Sequence, residues 1–162
     1  MKKQTGLTLI ELMAVTAILS IMVGFAVSGM KSLLDRQNLS VVGPIFEKTI
    51  KLARSEAVQR TQVVRITPSS GTNDWSQGWS INIVNGPNPG DLQLIRTFDA
   101  LPGNTVFTSD TFDGSTPFDI LPNGQASLPS RFTLSEEGCT NKIYTYDVLL
   151  SGILDRNVSP CP

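Results

Sequence analysis

The sequence predicts an α+β fold, a long N-terminal helix followed by a β-rich C-terminal head of antiparallel strands, and three observations carry that expectation. A run of 24 residues from Leu7 to Met30 is predominantly apolar. Apolar residues then recur at helical spacing as far as about residue 61. After Gln62 the period shortens to two, and turn residues begin to punctuate the chain.

The first six residues, MKKQTG, are basic and end in glycine. The apolar run behind them is long enough to cross a hydrocarbon core of about 30 Å as a helix. Lys2 and Lys3 precede it, so the positive-inside tendency leaves the N-terminus in the cytoplasm and carries the rest across. An ordinary secretory signal, cut near Gly24–Ala26, or a plain membrane anchor fits this outline. Glu11 weighs against both, because a carboxylate inside an apolar run costs a few kcal/mol unless it is paired or functional. Thr16, Ser20, Gly24 and Ser28 fall four residues apart, a stripe of small side chains that would let helices approach closely.

From Lys31 the surface changes. Leu39, Val42, Phe46, Ile50, Ala53 and Ala57 follow one another at three- and four-residue steps, an apolar stripe suited to covering a sheet. Glu47 and Lys51 have the spacing of an i,i+4 ion pair. Gly43-Pro44 is expected to kink or open the helix, since proline lacks the N–H and crowds the preceding turn.

Beyond the helix, Val63–Thr67, Trp79–Val84 and Leu92–Phe98 alternate or are rich in β-branched residues and predict strands. Ser69-Ser70-Gly71 and the segment Asn85–Gly90 separate them as turns. Further strands are expected at Thr105–Thr108, Phe118–Leu121, Arg131–Ser135 and Ile143–Leu150, with a tight turn at Pro122-Asn123-Gly124. No internal repeat and no second globular domain is evident.

Charge and composition narrow the functional classes. Without Lys2 and Lys3, eleven basic residues remain, and seven of them lie between Lys31 and Arg65. From Ile66 onward four basic residues face ten acidic ones, which makes the head a poor general binder of polyanions. The chain has no histidine, so the commonest general base and metal ligand is missing, and Ser151-Gly152 has nothing to activate a serine nucleophile. Asp110–Ser115 alternates oxygen donors but lacks the spacing and closing glutamate of an EF-hand, and reads as a solvated loop. No cofactor, metal site or enzymatic activity is expected. Cys139 and Cys161 are the only cysteines; in an exported protein such a pair reads as a disulfide, the alternative being two free thiols.

The segment Gly6-Leu7-Thr8-Leu9-Ile10-Glu11-Leu12 resembles the class III signal peptide of type IV pilins and pseudopilins. That resemblance implies cleavage by a prepilin peptidase between Gly6 and Leu7 and N-methylation of Leu7, which stands where the family usually has phenylalanine. It places Glu11 at the fifth mature position, where the family keeps a glutamate that serves subunit assembly. A buried carboxylate there can pair with the terminal ammonium of a neighbouring subunit, which offsets the desolvation of both. The implied architecture is the pilin fold: leader 1–6, transmembrane and filament-core helix 7–30, periplasmic head 31–162.

The order of weaker signals in the head is similar to the GspH/FimT family. These are Ala53–Arg60 at the helix end, Trp75, Gly78-Trp79, Phe118–Gly124, Phe132-Thr133-Leu134, Cys139 and Ser151-Gly152. The resemblance implies a minor pilin of a type IV pilus that initiates or caps assembly, with other minor and major pilins, the prepilin peptidase and the inner membrane as partners. A type II secretion pseudopilin is the alternative, and a DNA-binding pilus-tip subunit the third. Family members linked to DNA uptake carry a Gly-Arg-x-Arg tail. Here the corresponding stretch is Gly152-Ile153-Leu154-Asp155-Arg156, in which Arg156 stands displaced beside an acid, so DNA is the disfavoured partner.

Overall fold

The computed structural model describes residues 9–88, 90–112, 116–139 and 142–161, and leaves the side chains of 24–38 undescribed. One helix, α1 (Leu9–Arg60), precedes eight strands: β1 (Val64–Pro68), β2 (Trp79–Val84), β3 (Leu92–Phe98), β4 (Thr105–Ser109), β5 (Phe118–Ile120), β6 (Ser130–Glu136), β7 (Lys142–Val148) and β8 (Leu154–Pro160). The chain divides into two compact units, Met1–Arg36 and Gln37–Pro162.

In the first unit every described side chain, Leu9–Val23, is exposed. Thr16 donates to the Met13 carbonyl at 3.0 Å and Ser20 to the Thr16 carbonyl at 2.8 Å. Their hydroxyls are thus spent on their own helix, and at Thr16 and Ser20 the small-residue stripe offers close approach rather than hydrogen bonds. The expected membrane span of residues 7–30 is only partly covered; among the described residues no helix is long and apolar enough to cross a membrane. Gly6 and Leu7 lie outside the described residues.

In the second unit the stripe does what its spacing predicts. Leu39, Val42, Phe46, Ile50, Ala53 and Ala57 are all 4% exposed or less. Phe46 stands among five aromatic rings, those of Trp75, Trp79, Phe107, Phe132 and Tyr146, with centroids 4.6–6.4 Å away. Buried Thr49 interrupts the apolar neighbours for a reason: it accepts a 3.1 Å hydrogen bond from Trp79 Nε1, an indole N–H that would otherwise be buried without a partner. Trp75 Nε1 has no such acceptor among the described residues, and its ring meets Phe132 edge to face at 4.9 Å.

The helix continues through Gly43-Pro44 instead of opening there. Gly43 is required by packing: a Cβ on it would stand 2.2 Å from Tyr146 Oη, so its bare backbone admits the tyrosine of β7. The helix ends at Arg60 because Thr61 takes the left-handed conformation (φ 55°) and Gln62 N–H closes back on the Ala57 carbonyl at 3.2 Å. That is a Schellman-type stop, reinforced by the Arg60–Glu56 ion pair at 2.6 Å. The expected Glu47–Lys51 pair is not among the ion pairs of the described residues; an exposed pair of this kind gains too little to fix two long side chains.

The strands form two antiparallel sheets, ordered β3-β2-β1-β5 and β4-β6-β7-β8. β1 carries Val64, Ile66 and Pro68 inward, in register with Ile83, Ile81 and Trp79 of β2. Arg65 points the other way and forks onto Asp119 of β5, at 2.7 and 2.9 Å, which ties the shortest strand to the sheet. Two outer edges are blunted by short bridges, Asp74 with Thr108 beside β4 and Ala126 with Ile120 beside β5. The tight turn at Pro122-Asn123-Gly124 is present, with Gly124 at φ 79° and its N–H on the Leu121 carbonyl. The last expected strand is shorter than its apolar run, ending at Val148, because Leu149–Gly152 turns the chain back into β8, a strand the sequence pattern does not announce.

Candidate functional site

Two regions bear on function. One is the N-terminal helical segment, where large apolar side chains from Leu9 to Val23 are 46–77% exposed. Exposing so much apolar surface is unfavourable in water. Glu11 is the only charged residue among its described positions.

The other region is a cleft of about 230 Å³ between the head portion of α1 and the chain around β8. Lys51 and Arg54 reach it from the helix, one turn apart, and Arg156 reaches it from β8. Ile50, Ile153 and Leu154 supply apolar surface, and Glu47 is the single acid in the lining. The sequence alone leaves Arg156 beside Asp155, but consecutive residues of a strand face opposite ways. Arg156 is in register with buried Tyr146 and lies on the helix side, whereas Asp155 is in register with Asp147 on the outer face. Recognising β8 as a strand would have separated the two charges; its Asp, Asn and Pro content hid it.

Two of the three cations are held in place, Arg54 and Arg156. Arg54 donates from Nε to the Gly124 carbonyl at 3.0 Å. It passes between two turns that depend on glycine: a Cβ at Gly152 (φ 72°) would come within 2.3 Å of the Gly124 carbonyl oxygen and 2.9 Å of Arg54 Nε. The Arg156 guanidinium lies 5.2 Å from the centre of the Tyr144 ring. Beneath them, burial pushes the Tyr146 phenol above its ordinary value, with Arg156 drawing it down and Glu47 and Tyr144 adding to the rise.

The expected disulfide is formed. Cys139 and Cys161 are joined with their Cα atoms 5.7 Å apart, so the end of β8 is tied to the turn that leads into β7. Both ends of β8 are therefore fixed, one by the Leu149–Ile153 turn and the other by the covalent bond. The loop Asp110–Ser115 is described only in part; its Asp110 accepts the Arg131 N–H at 3.0 Å on the outer face of the second sheet. Asp110 and Asp155, with Asp147 and Arg131, line a shallow cleft of about 430 Å³ there. Arg131 forks onto Asp147 at 2.6 and 3.3 Å.

Residues 46–152, well over half of the chain, match the family described as type II transport protein GspH. The chain belongs to the GspH family. Residues 1–27 of this GspH-family chain also match the prokaryotic N-terminal methylation motif. Among solved structures it is similar to the type IV minor pilin FimU of Pseudomonas aeruginosa (TM-score 0.61, 18% identity, covering 79% of this chain and 91% of that one). It is also similar to the minor pseudopilin EpsH from the type 2 secretion system of Vibrio cholerae (TM-score 0.58, 10% identity, 74% and 96% covered). No curated protein matches the sequence. At these identities the structural likeness shows a shared fold, the pilin fold. Fold and family together make the GspH-family chain a subunit of the pilin and pseudopilin type.

Proposed function

We propose that the chain is a minor pilin of a type IV pilus, helping to initiate or cap assembly. Its helix over residues 7–30 anchors it in the bacterial inner membrane with the head 31–162 in the periplasm, and from there it enters the filament. Prepilin peptidase cuts between Gly6 and Leu7 and the Leu7 amine is methylated. The observation that carries the reading is the exposed apolar helical segment in which Glu11, at the fifth position after the cut, is the one charged residue among the described positions. In a packed helix bundle that carboxylate answers the terminal ammonium of a neighbour, a role no ordinary anchor requires.

Glu11→Ala tests it. Membrane insertion is retained, because losing a charge makes the helix more apolar. Co-purification with partner pilins and surface piliation fall. If both persist unchanged, the assembly role of Glu11 is wrong. A type II secretion pseudopilin is the second reading, supported by the family description and by the likeness to EpsH. Loss of protein secretion with intact piliation in a deletion strain would decide for it. Direct contact with DNA is supported by the meeting of Lys51, Arg54 and Arg156, and opposed by Glu47 in the same cleft and by the acidic balance of the head.

A further inference from the structure

We infer that the cleft between α1 and β8 is a docking site for the acidic patch of Asp110, Asp147 and Asp155, at one end of the outer face of the β4-β6-β7-β8 sheet, on a second copy of the chain. The inference rests on the assembly role proposed above and adds the surfaces through which one head would meet the next.

Three cations converge on the cleft against a single acid, Glu47, and none of Lys51, Arg54 or Arg156 forms an ion pair among the described residues. Like charges gathered in one concavity repel one another, and the repulsion grows as water is excluded. Side chains free to avoid it would splay into solvent. Two of these are instead braced: Arg54 by the Gly124 carbonyl in a slot that admits no Cβ at Gly152, Arg156 over the Tyr144 ring. Bracing before a partner arrives lowers the ordering cost of binding. Exposed Ile153 and half-buried Leu154 give the cleft apolar surface beside the charges, the mixture expected where a protein surface docks.

The complementary surface is on the same molecule, on the other side of the same strand. Asp155 faces outward next to Asp147 of β7 and shares the shallow outer cleft with Asp110 and Arg131. Arg131 is taken up by Asp147, which leaves Asp155 directly opposite a like charge with no cation of its own among the described residues. Cross-strand like-charge pairs are unfavourable unless a counter-charge is supplied. Cationic cleft and anionic face thus look in opposite directions from β8. Two different surfaces facing apart cannot form a closed two-fold pair by contacting each other; copies joined through them meet head to tail, in a ring where the rotation between copies closes and in an open line where it does not.

The test uses the full chain in membranes, with a photo-crosslinking residue replacing Ile153 in one tagged copy and a second tag on the other. A two-copy adduct is expected, mapping to the partner peptides around Pro129–Arg131 or Val148–Leu149. Arg156→Glu lowers its yield about tenfold, and so does Asp155→Lys. A cleft copy carrying Arg156→Glu mixed with a face copy carrying Asp155→Lys restores it. Arg156→Lys keeps the adduct, and an intact Cys139–Cys161 bond in every variant shows that the heads are folded. Absence of a two-copy adduct, an adduct at other peptides, indifference to the reversals, or crosslinking to DNA alone would overturn the inference. Co-purification of partner pilins from the same membranes is read separately, so loss of the adduct with that capture intact rejects the docking surface and leaves the assembly role standing.

Discussion

Truncating Phe46 to alanine should do more damage to the head than any other single loss of a side chain on α1. The ring is fully buried and meets Trp75, Trp79, Phe107, Phe132 and Tyr146, so it joins the helix to both sheets at one point. Burial of such a ring contributes up to about 3 kcal/mol by area, and the cavity left among rigid neighbours raises the cost of Phe46→Ala to about 3–5 kcal/mol. Four of the five neighbours are held by different strands and Trp75 by the segment between β1 and β2, so collapse into the void is poor and the upper half of that range is expected. Unfolding of residues 37–162 in urea, followed by the fluorescence of buried Trp75 and Trp79, reports it directly. With a slope of about 2 kcal/mol per molar urea, the midpoint falls by about 2 M. Val58→Ala on the same helix, where the side chain is 54% exposed, should change stability by less than about 0.5 kcal/mol. A midpoint shift for Phe46→Ala no larger than that of Val58→Ala would refute the placement of the helix stripe in the core.

Two further outcomes follow from the tail. Cys139→Ser opens a loop closed over 22 residues and should lower stability by about 3 kcal/mol in the chain-entropy model, measured by the same urea titration; an unchanged midpoint contradicts it. Tyr146 gives a pH dependence: burial raises its phenol pKa in the folded head, so as pH climbs past about 10 the unfolded chain ionises first and stability falls until the folded group ionises too. Tyr146→Phe should make the stability profile flatter above that pH, and an equally steep decline in the variant would remove the assignment.

The sequence made the core of α1 readable because its six apolar positions keep one helical face over five turns, and burial of that face overrides everything else locally. Seven strands were readable from β-branched runs bounded by turn residues. β8 was not, since Leu154-Asp155-Arg156-Asn157-Val158-Ser159-Pro160 has neither alternation nor β propensity. It is a strand because β7 offers it a ladder and the Cys139–Cys161 bond holds its end. The basic cleft was hidden with it: Lys51 and Arg54 are visible as helix neighbours, but only the ladder puts Arg156 beside them. Gly43-Pro44 misled for the opposite reason, because the helix runs through the pair and its glycine makes room for the tyrosine packed against it.

We propose that this pilin-type subunit is matured by prepilin peptidase. The intact mass of the protein extracted from bacterial membranes tests it most directly. Loss of the six residues MKKQTG, a chain beginning at Leu7, and one methyl group on its amine are expected. A chain beginning near Val27, as after an ordinary secretory signal, or one that keeps Met1, would contradict it.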